Sequence, residues 1–179
     1  MPSDCSACRL IAGAEPLPGG RLCATAHWVV EHCTGPLGVG TLLVKPFRHC
    51  PHIGDLTQAE SQELGPLLQR VSQTVQALTQ ADQVYVCLWS HAGWTPGHIH
   101  FVVQPAWNRW RAVYARPGPG VQSAMFQAGN APAVHEVEAF CQQARNILWK
   151  SSLPPPPSNT RMNLTGIPLR SIPAGYPRR

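Results

Sequence analysis

Two histidines, His98 and His100, stand two residues apart in a run of strand-forming residues that ends at Pro105. On a β-strand, residues two apart share a face and lie roughly 6.6 Å from one another. His98 and His100 therefore share a face with Val102 and Gln104, whereas the opposite, apolar face can pack on a core. Two imidazoles and an amide on one face form a candidate reactive surface. The alternative is a solvent-exposed edge strand whose histidines are incidental.

A second group of chemically active residues is the Cys5-x-x-Cys8 pair near the start of the chain. Such a pair can be half of a zinc site, a redox pair or a chance occurrence. A structural zinc ion takes four nitrogen or sulfur ligands in tetrahedral array, and the sequence has no second pair at this spacing. Histidines must then complete the site, and His49 and His98 are the favoured candidates. Rival ligands remain elsewhere in the chain: Cys23, Cys33, Cys50, His27, His32 and His52.

Short strands and amphipathic helices must position these residues. Thr57 and Glu60 have the spacing of a capping box, which predicts a helix that begins after Thr57. Leucines and valines at helical period continue this helix to Gln80, with Pro66 as a point for a kink. A second helix is predicted for residues 134–150. Segments rich in β-branched, aromatic or other apolar residues are predicted to be strands: 21–26, 27–32, 41–45, 84–89 and 98–104.

Composition limits the classes of protein to consider. The chain has 179 residues, of which 44% are hydrophobic and only 13% charged, so one domain with a core and appendages is expected. The formal net charge of +5 suits polyanionic ligands such as nucleotides or nucleic acid, although part of the excess lies near the C-terminus. Seven scattered cysteines argue against a full disulfide framework and favour a reducing compartment.

The chain divides into two parts at residue 150. Residues 1–150 are predicted to form one nucleotide-binding domain with an N-terminal zinc knuckle. Residues 151–179 are predicted to be a disordered tail, because they are rich in proline and poor in apolar side chains. The first ten residues lack the apolar segment of a signal peptide, and no window approaches about 18 apolar residues. We expect a soluble, cytoplasmic protein with no membrane contact.

The order of motifs along the chain resembles that of the histidine-triad superfamily of nucleotidyl hydrolases and transferases. The motifs are the CxxC pair, His27-Trp28, the run Gly-Val-Gly-Thr-Leu-Leu-Val-Lys-Pro-Phe-Arg-His that ends at His49, Asp-Leu-Thr before the helix, and the His-x-His strand. The similarity extends from about Cys5 to Trp107. The predicted helix 134–150 also resembles an extension of actinobacterial-type members. The resemblance implies an α+β fold: an antiparallel sheet of about five strands, a long helix on one face and a C-terminal helix.

The resemblance also implies roles for particular residues. His100 matches the family's nucleophile, which attacks the α-phosphate. His98 matches a structural zinc ligand of the branch that resembles galactose-phosphate uridylyltransferase, and Cys5, Cys8 and His49 match the other ligands of that branch. A structural zinc ion is therefore the expected cofactor. The expected partner is a nucleotide or a nucleotide conjugate, and a homodimer is the expected assembly.

One position departs from the family pattern. The third histidine of the family falls on Val102, which can neither donate a hydrogen bond nor carry charge. The uridylyltransferase-like branch has glutamine at this position, whereas here the glutamine is Gln104, one strand repeat further along. The loop from Ser90 to Gly97 matches the stretch that approaches the phosphates. Ser90, Gly97 and Gln104 are accordingly the predicted nucleotide- and phosphate-binding residues.

Three functions are compatible with these residues. In the first, the protein is a nucleotide hydrolase or nucleotidyltransferase that forms a nucleotidyl intermediate on His100. In the second, it has the same fold and binds nucleotides, but with Val102 in the triad it turns over slowly or not at all. In the third, nucleic acid binds to the basic tail and to the aromatic and arginine residues of segment 107–111. The third is the least favoured, because Trp107 and Trp110 are more simply explained by packing.

Overall fold

The structure is a computed structural model, and it describes residues 4–91 and 96–150. The tail 151–179, predicted to be disordered, lies outside the described residues. A short 3-10 helix spans Ile53–Asp55. The other elements, in chain order, are α1 (Ser6–Ile11), β1 (Arg21–Ala24), β2 (Trp28–His32), β3 (Leu42–Pro46), α2 (Gln58–Thr79), β4 (Gln83–Trp89), β5 (His100–Ala106), α3 (Asn108–Tyr114), α4 (Pro119–Ala128) and α5 (Val134–Lys150).

The strands form one five-stranded sheet in the order β1-β2-β3-β5-β4, and every neighbouring pair is antiparallel. The strand that carries His100 is therefore an inner strand between β3 and β4, and the interpretation as an exposed edge strand is wrong. β5 begins at His100, so the predicted strand 98–104 begins two residues too early. His98 lies just before the strand, and the alternation of faces does not apply to it.

The two long helices cover one face of the sheet. Phe101 and Val103 project from β5 into this core, as the apolar alternation predicts. They meet buried side chains of α2 and α5, among them Leu67, Val71 and Phe140. The long helix on one face, the five strands and the C-terminal helix agree with the predicted fold class.

The opposite face of the sheet is also covered, which the sequence analysis did not predict. Val102 on β5 is 3% exposed, because Val121 and Met125 of α4 pack over it together with Leu37. Trp110 of α3 packs against the same cluster. The segment that forms α4 is hard to recognise because prolines and glycines at 117–120 are typical of a turn. Gly118, at the N-cap of α4, has a φ of 56°, which glycine adopts without strain.

The start of α2 is tied to the loop that carries His49. The predicted capping box is present: the Thr57 hydroxyl accepts from the Glu60 backbone N–H, and the Glu60 carboxylate accepts from the Thr57 N–H. Arg48 donates to both Glu60 carboxylate oxygens at 3.0 and 2.8 Å, and to the Asp55 carbonyl at 2.8 Å. These hydrogen bonds hold Arg48, the residue directly before His49, against the start of α2. Pro66 lies inside α2 without dividing it.

Replacing Glu60 by glutamine is expected to reduce stability in a pH-dependent way. The Arg48 guanidinium is the main cause that lowers the pKa of Glu60 from 4.5 to about 2. A carboxylate with a depressed pKa stabilises the fold above its unfolded pKa, and this contribution is lost as pH falls from about 4.5 to about 2. Because Arg48 is partly exposed, we expect Glu60→Gln to cost about 1–2 kcal/mol at pH 7.

Denaturant unfolding at pH 7 and at pH 3 tests this prediction. The difference in unfolding free energy between wild type and Glu60→Gln should shrink at pH 3, whereas Glu138→Gln, an exposed position on α5, should show no comparable difference. A cost for Glu60→Gln that is independent of pH would contradict the charge-based explanation.

Candidate functional site

Four buried or half-buried cysteines and histidines meet at one end of the sheet. Cys5 is the N-cap residue of α1 and Cys8 lies in its first turn, so this short helix, which the sequence analysis treated as a zinc knuckle, brings both thiols together. His49 follows β3, and His98 precedes β5. Because β3 and β5 are neighbours in the sheet, residues just outside their adjoining ends lie close to each other.

The donor atoms of this cluster have the spacing of a tetrahedral metal site. The Nδ1 atom of His98 lies 3.6 Å from the Cys5 Sγ and 3.5 Å from the Cys8 Sγ, and the His49 Nδ1 lies 3.5 Å from the Cys8 Sγ. All four donor atoms lie within 4.8 Å of one another. A tetrahedral zinc ion with ordinary Zn–S and Zn–N distances places a sulfur and a nitrogen ligand about 3.6 Å apart. The cluster therefore fits a zinc ion in both donor type and spacing.

Hydrogen bonding gives His98 the tautomer that a metal ligand needs. Its Nε2–H donates to the Pro46 carbonyl at 3.0 Å, which leaves the Nδ1 lone pair directed at the two thiols. Burial lowers the pKa of His98 to about 4, so the ring is neutral near pH 7. Burial and the neighbouring Cys5 raise the pKa of Cys8 to about 11. A bound dication would favour the thiolate form and stabilise the cluster.

The rival ligands lie outside this cluster. His27 contacts the Glu63 carboxylate at 2.7 Å. His32 is buried, donates from Nδ1 to the Cys33 carbonyl and accepts from the Gly40 N–H. The Cys50 thiol donates to the His52 carbonyl at 3.2 Å. In the described part of the chain, Cys5, Cys8, His49 and His98 are the group of cysteines, histidines and acids that could hold a metal ion.

His100 presents a free ring nitrogen next to this cluster. Its Nδ1–H donates to the His98 carbonyl at 2.9 Å, so the lone pair is on Nε2. Burial lowers the pKa of His100, which favours the neutral ring near pH 7. A neutral imidazole held in one tautomer, with its lone pair on the free nitrogen, has the properties of a nucleophile.

Solved structures of histidine-triad proteins share this architecture. A HIT-like protein from Bartonella henselae, involved in cell-cycle regulation, is 16% identical with a TM-score of 0.59, over 81% of this chain and 96% of that chain. A hypothetical histidine triad nucleotide-binding protein from Sulfolobus tokodaii is 16% identical with a TM-score of 0.61, over 82% of this chain and 93% of that chain. A zinc-bound histidine triad family protein from Mycobacterium smegmatis is 19% identical with a TM-score of 0.58, over 82% and 94%. The chain has the histidine-triad fold.

A likeness at these identities concerns the fold, and activity has to be argued from the residues of this chain. A scan against models of protein families finds no match, and a search of curated proteins finds no relative. None of the helices in the described part of the chain combines the length and apolar character that a membrane crossing requires.

Within the histidine-triad fold, the predicted phosphate-binding residues have different surroundings. Gln104 is fully buried; its Nε2 donates to the Leu37 carbonyl at 3.0 Å and lies 3.2 Å from the Met125 Sδ. The Ser90 hydroxyl donates to the Pro51 carbonyl at 2.6 Å. Gly97 is buried directly before His98, and residues 92–95 of the predicted phosphate loop lie outside the described residues. Phosphate binding by Ser90, Gly97 and Gln104 stays a prediction.

A buried ion pair lies on the same sheet face as His100 and was missed by the sequence analysis. The Lys45 Nζ lies 2.5 Å from the Glu31 Oε2, and both side chains are 2% exposed. Leu43 pairs with both Val102 and Glu31 across the sheet, so Lys45, two residues further along β3, shares their face. The sequence did contain a signal for this ion pair, because Glu31 and Lys45 are charged residues within two otherwise apolar predicted strands.

His91 is a second residue that the sequence analysis passed over. It directly follows the Ser90 of the predicted phosphate loop, and its exposed ring lies 5.3 Å from the His100 ring, centroid to centroid. The Trp89 ring lies 5.6 Å from the His91 ring, and Trp89 pairs with His100 across β4 and β5. The motif of the family is a set of histidines on one strand, so the sequence analysis did not consider a histidine in the preceding loop. Only the fold brings this loop histidine beside His100.

Proposed function

We propose that the cluster of Cys5, Cys8, His49 and His98 holds a structural zinc ion. The donor types and the 3.5–3.6 Å separations support this proposal. With four protein ligands the ion has no open position, so its contribution is to hold α1 against the ends of β3 and β5. Through the His98 backbone it also fixes the carbonyl that accepts from His100.

We further propose that the protein is a nucleotide hydrolase or nucleotidyltransferase that acts at the α-phosphate through His100. The observation that carries this proposal is the 2.9 Å hydrogen bond from the His100 Nδ1–H to the His98 carbonyl, which leaves Nε2 as a free nucleophile. The fold supports the nucleotide as ligand. The homodimer suggested by the resemblance stays a prediction.

The proposed reaction has two steps. In the first, the Nε2 lone pair of His100 forms a bond to the α-phosphorus, and the bond from phosphorus to the leaving group breaks with its electron pair going to the leaving group. In the second, water or another acceptor attacks the phosphorus, and the electron pair of the P–N bond returns to Nε2. Backbone N–H groups near Ser90 would stabilise the charge that develops on the phosphoryl oxygens.

The second candidate function is a nucleotide-binding protein that does not turn over. Two observations favour it: Val102 occupies the position of the third histidine, and α4 covers Val102 and Gln104 on the same sheet face. In this case the nucleotide would bind reversibly, and no covalent intermediate would form on His100.

Single-turnover labelling separates the two functions. The purified protein is mixed with a panel of nucleoside 5′-phosphate esters radiolabelled at the α-phosphate and quenched with base, which preserves a bond from phosphorus to an imidazole nitrogen. Label on the protein, mapped to His100, supports the enzyme. Saturable binding of the same compounds with no label and no product would support the binding protein and contradict the enzyme.

A further inference from the structure

The His91 ring is held beside His100 by its backbone and by a neighbouring aromatic ring. The Ser90 carbonyl accepts from the His98 N–H at 2.9 Å, so the backbone just before His91 is joined to the backbone just before β5. The ring contact is 5.3 Å between centroids with a 38° angle between the planes. Trp89, the cross-strand partner of His100, also contacts the His91 ring, at 5.6 Å between centroids.

The backbone of His91 is in an unusual conformation. Its φ is 58°, in the left-handed region that few non-glycine residues adopt. Such conformations cost free energy, and they concentrate at sites where the position of a side chain matters. Here the conformation belongs to an exposed histidine whose ring lies next to the candidate nucleophile.

Other candidates for proton transfer on this face are engaged. Lys45 shares the face, but its ammonium group is buried and paired with Glu31. Val102 has no proton to give, and Gln104 donates from its amide to Leu37. Of the histidines in the described ranges, His91 is the one whose ring contacts the His100 ring.

We propose that His91 is the general acid and base of the reaction at His100, where it protonates leaving groups that cannot depart as anions. This inference rests on the proposed nucleotidyl transfer to His100. Apart from His100 itself, β5 offers no residue on this face that can transfer a proton. The proposal assigns that proton transfer to His91 in the preceding loop.

The two steps balance in atoms and charge with His91 included. As the His100 Nε2 bonds to phosphorus and the leaving oxygen or nitrogen departs with its electron pair, the protonated His91 ring gives that atom a proton and becomes neutral. In the second step, the neutral His91 ring takes a proton from the attacking water. The P–N bond breaks, the electron pair returns to the His100 Nε2, and both residues regain their starting forms.

The test compares two leaving groups in wild type and in His91→Asn. Asparagine is suited to a left-handed backbone, so this change removes the imidazole with little backbone strain. The substrates are the methyl ester and the p-nitrophenyl ester of one nucleoside 5′-monophosphate. Methoxide needs a proton to leave and nitrophenolate does not. His91→Asn is expected to lower kcat/KM, which reports the steps up to departure of the leaving group, by about 10²-fold or more for the methyl ester and much less for the nitrophenyl ester.

Matched variants make the result specific. His135→Asn, at an exposed position on α5, should leave both rates unchanged. His91→Gly also accepts the left-handed backbone, and free imidazole should restore part of its rate with the methyl ester. Equal losses for both esters, or no loss for either, would overturn the role of His91 alone. Absence of turnover and of labelling in wild type would overturn the proposed function and this inference with it.

Discussion

Purified Cys8→Ala protein is expected to contain far less than one zinc ion per chain and to unfold at a much lower denaturant concentration than wild type. The substitution removes the thiol that lies 3.5 Å from both histidine nitrogens of the cluster. Structural zinc contributes about 10–16 kcal/mol to the folding of small zinc-finger peptides. The free energy of unfolding of a typical domain is roughly 5–15 kcal/mol. Losing even a fraction of the contribution from zinc would therefore be a large loss of stability.

Elemental analysis and denaturant unfolding measure the two effects together. Wild type should contain close to one zinc ion per chain, and treatment with a strong chelator should shift its unfolding toward that of Cys8→Ala. Cys87→Ala is the matched control, because Cys87 is a half-buried thiol on β4 outside the cluster. Equal zinc contents in wild type and Cys8→Ala would show that these residues are not the ligands.

The cluster of Cys5, Cys8, His49 and His98 illustrates what the sequence predicts well. Cys5 and Cys8 are close in the chain, and the strands before His49 and after His98 are short, mostly apolar runs, each followed by a proline. Once β3 and β5 are neighbours in the sheet, His49 and His98 must lie close to each other. The site is then complete when the segment with Cys5 and Cys8 packs against these two histidines. The choice of His49 and His98 over their rivals, however, depended on the family resemblance, because spacing alone cannot distinguish ligands that are far apart in sequence.

The covered sheet face illustrates what the sequence does not predict. Alternation along β5 correctly places Val102 and Gln104 opposite the main core, but it cannot say whether that face meets solvent or another layer. The answer lies in α4, whose segment begins with prolines and glycines and has only three buried residues, Val121, Gln122 and Met125. Tertiary packing decides the structure of this segment, and local propensity does not.

The same packing bears on the missing third histidine. A Val102→His change would place a larger polar ring among Leu37, Val121 and Met125, where the native side chain is 3% exposed. Overpacking and an unpaired buried polar group both destabilise a core. A histidine therefore fits at this position only if α4 also moves, and a proton donor for the proposed reaction would have to come from outside the strand.

His100→Ala is expected to abolish the covalent nucleotidyl intermediate and to lower turnover on the order of 10³-fold or more, because the nucleophile itself is removed. Zinc content should stay near that of wild type. His100 does not belong to the cysteine–histidine cluster, and its link to the cluster is a hydrogen bond donated to the His98 backbone carbonyl, which the substitution leaves in place.

Base-stable labelling and zinc analysis on the same preparations separate the two histidines of the motif. His100→Ala should lose the label and keep the ion, whereas His98→Ala should lose both, since His98 is the donor that approaches both thiols. His135→Ala, at an exposed position on α5, should keep both. Turnover that survives in His100→Ala with the label intact would mean that another residue is the nucleophile. The free Nε2 of His100 would then serve to bind the phosphate and would not attack it.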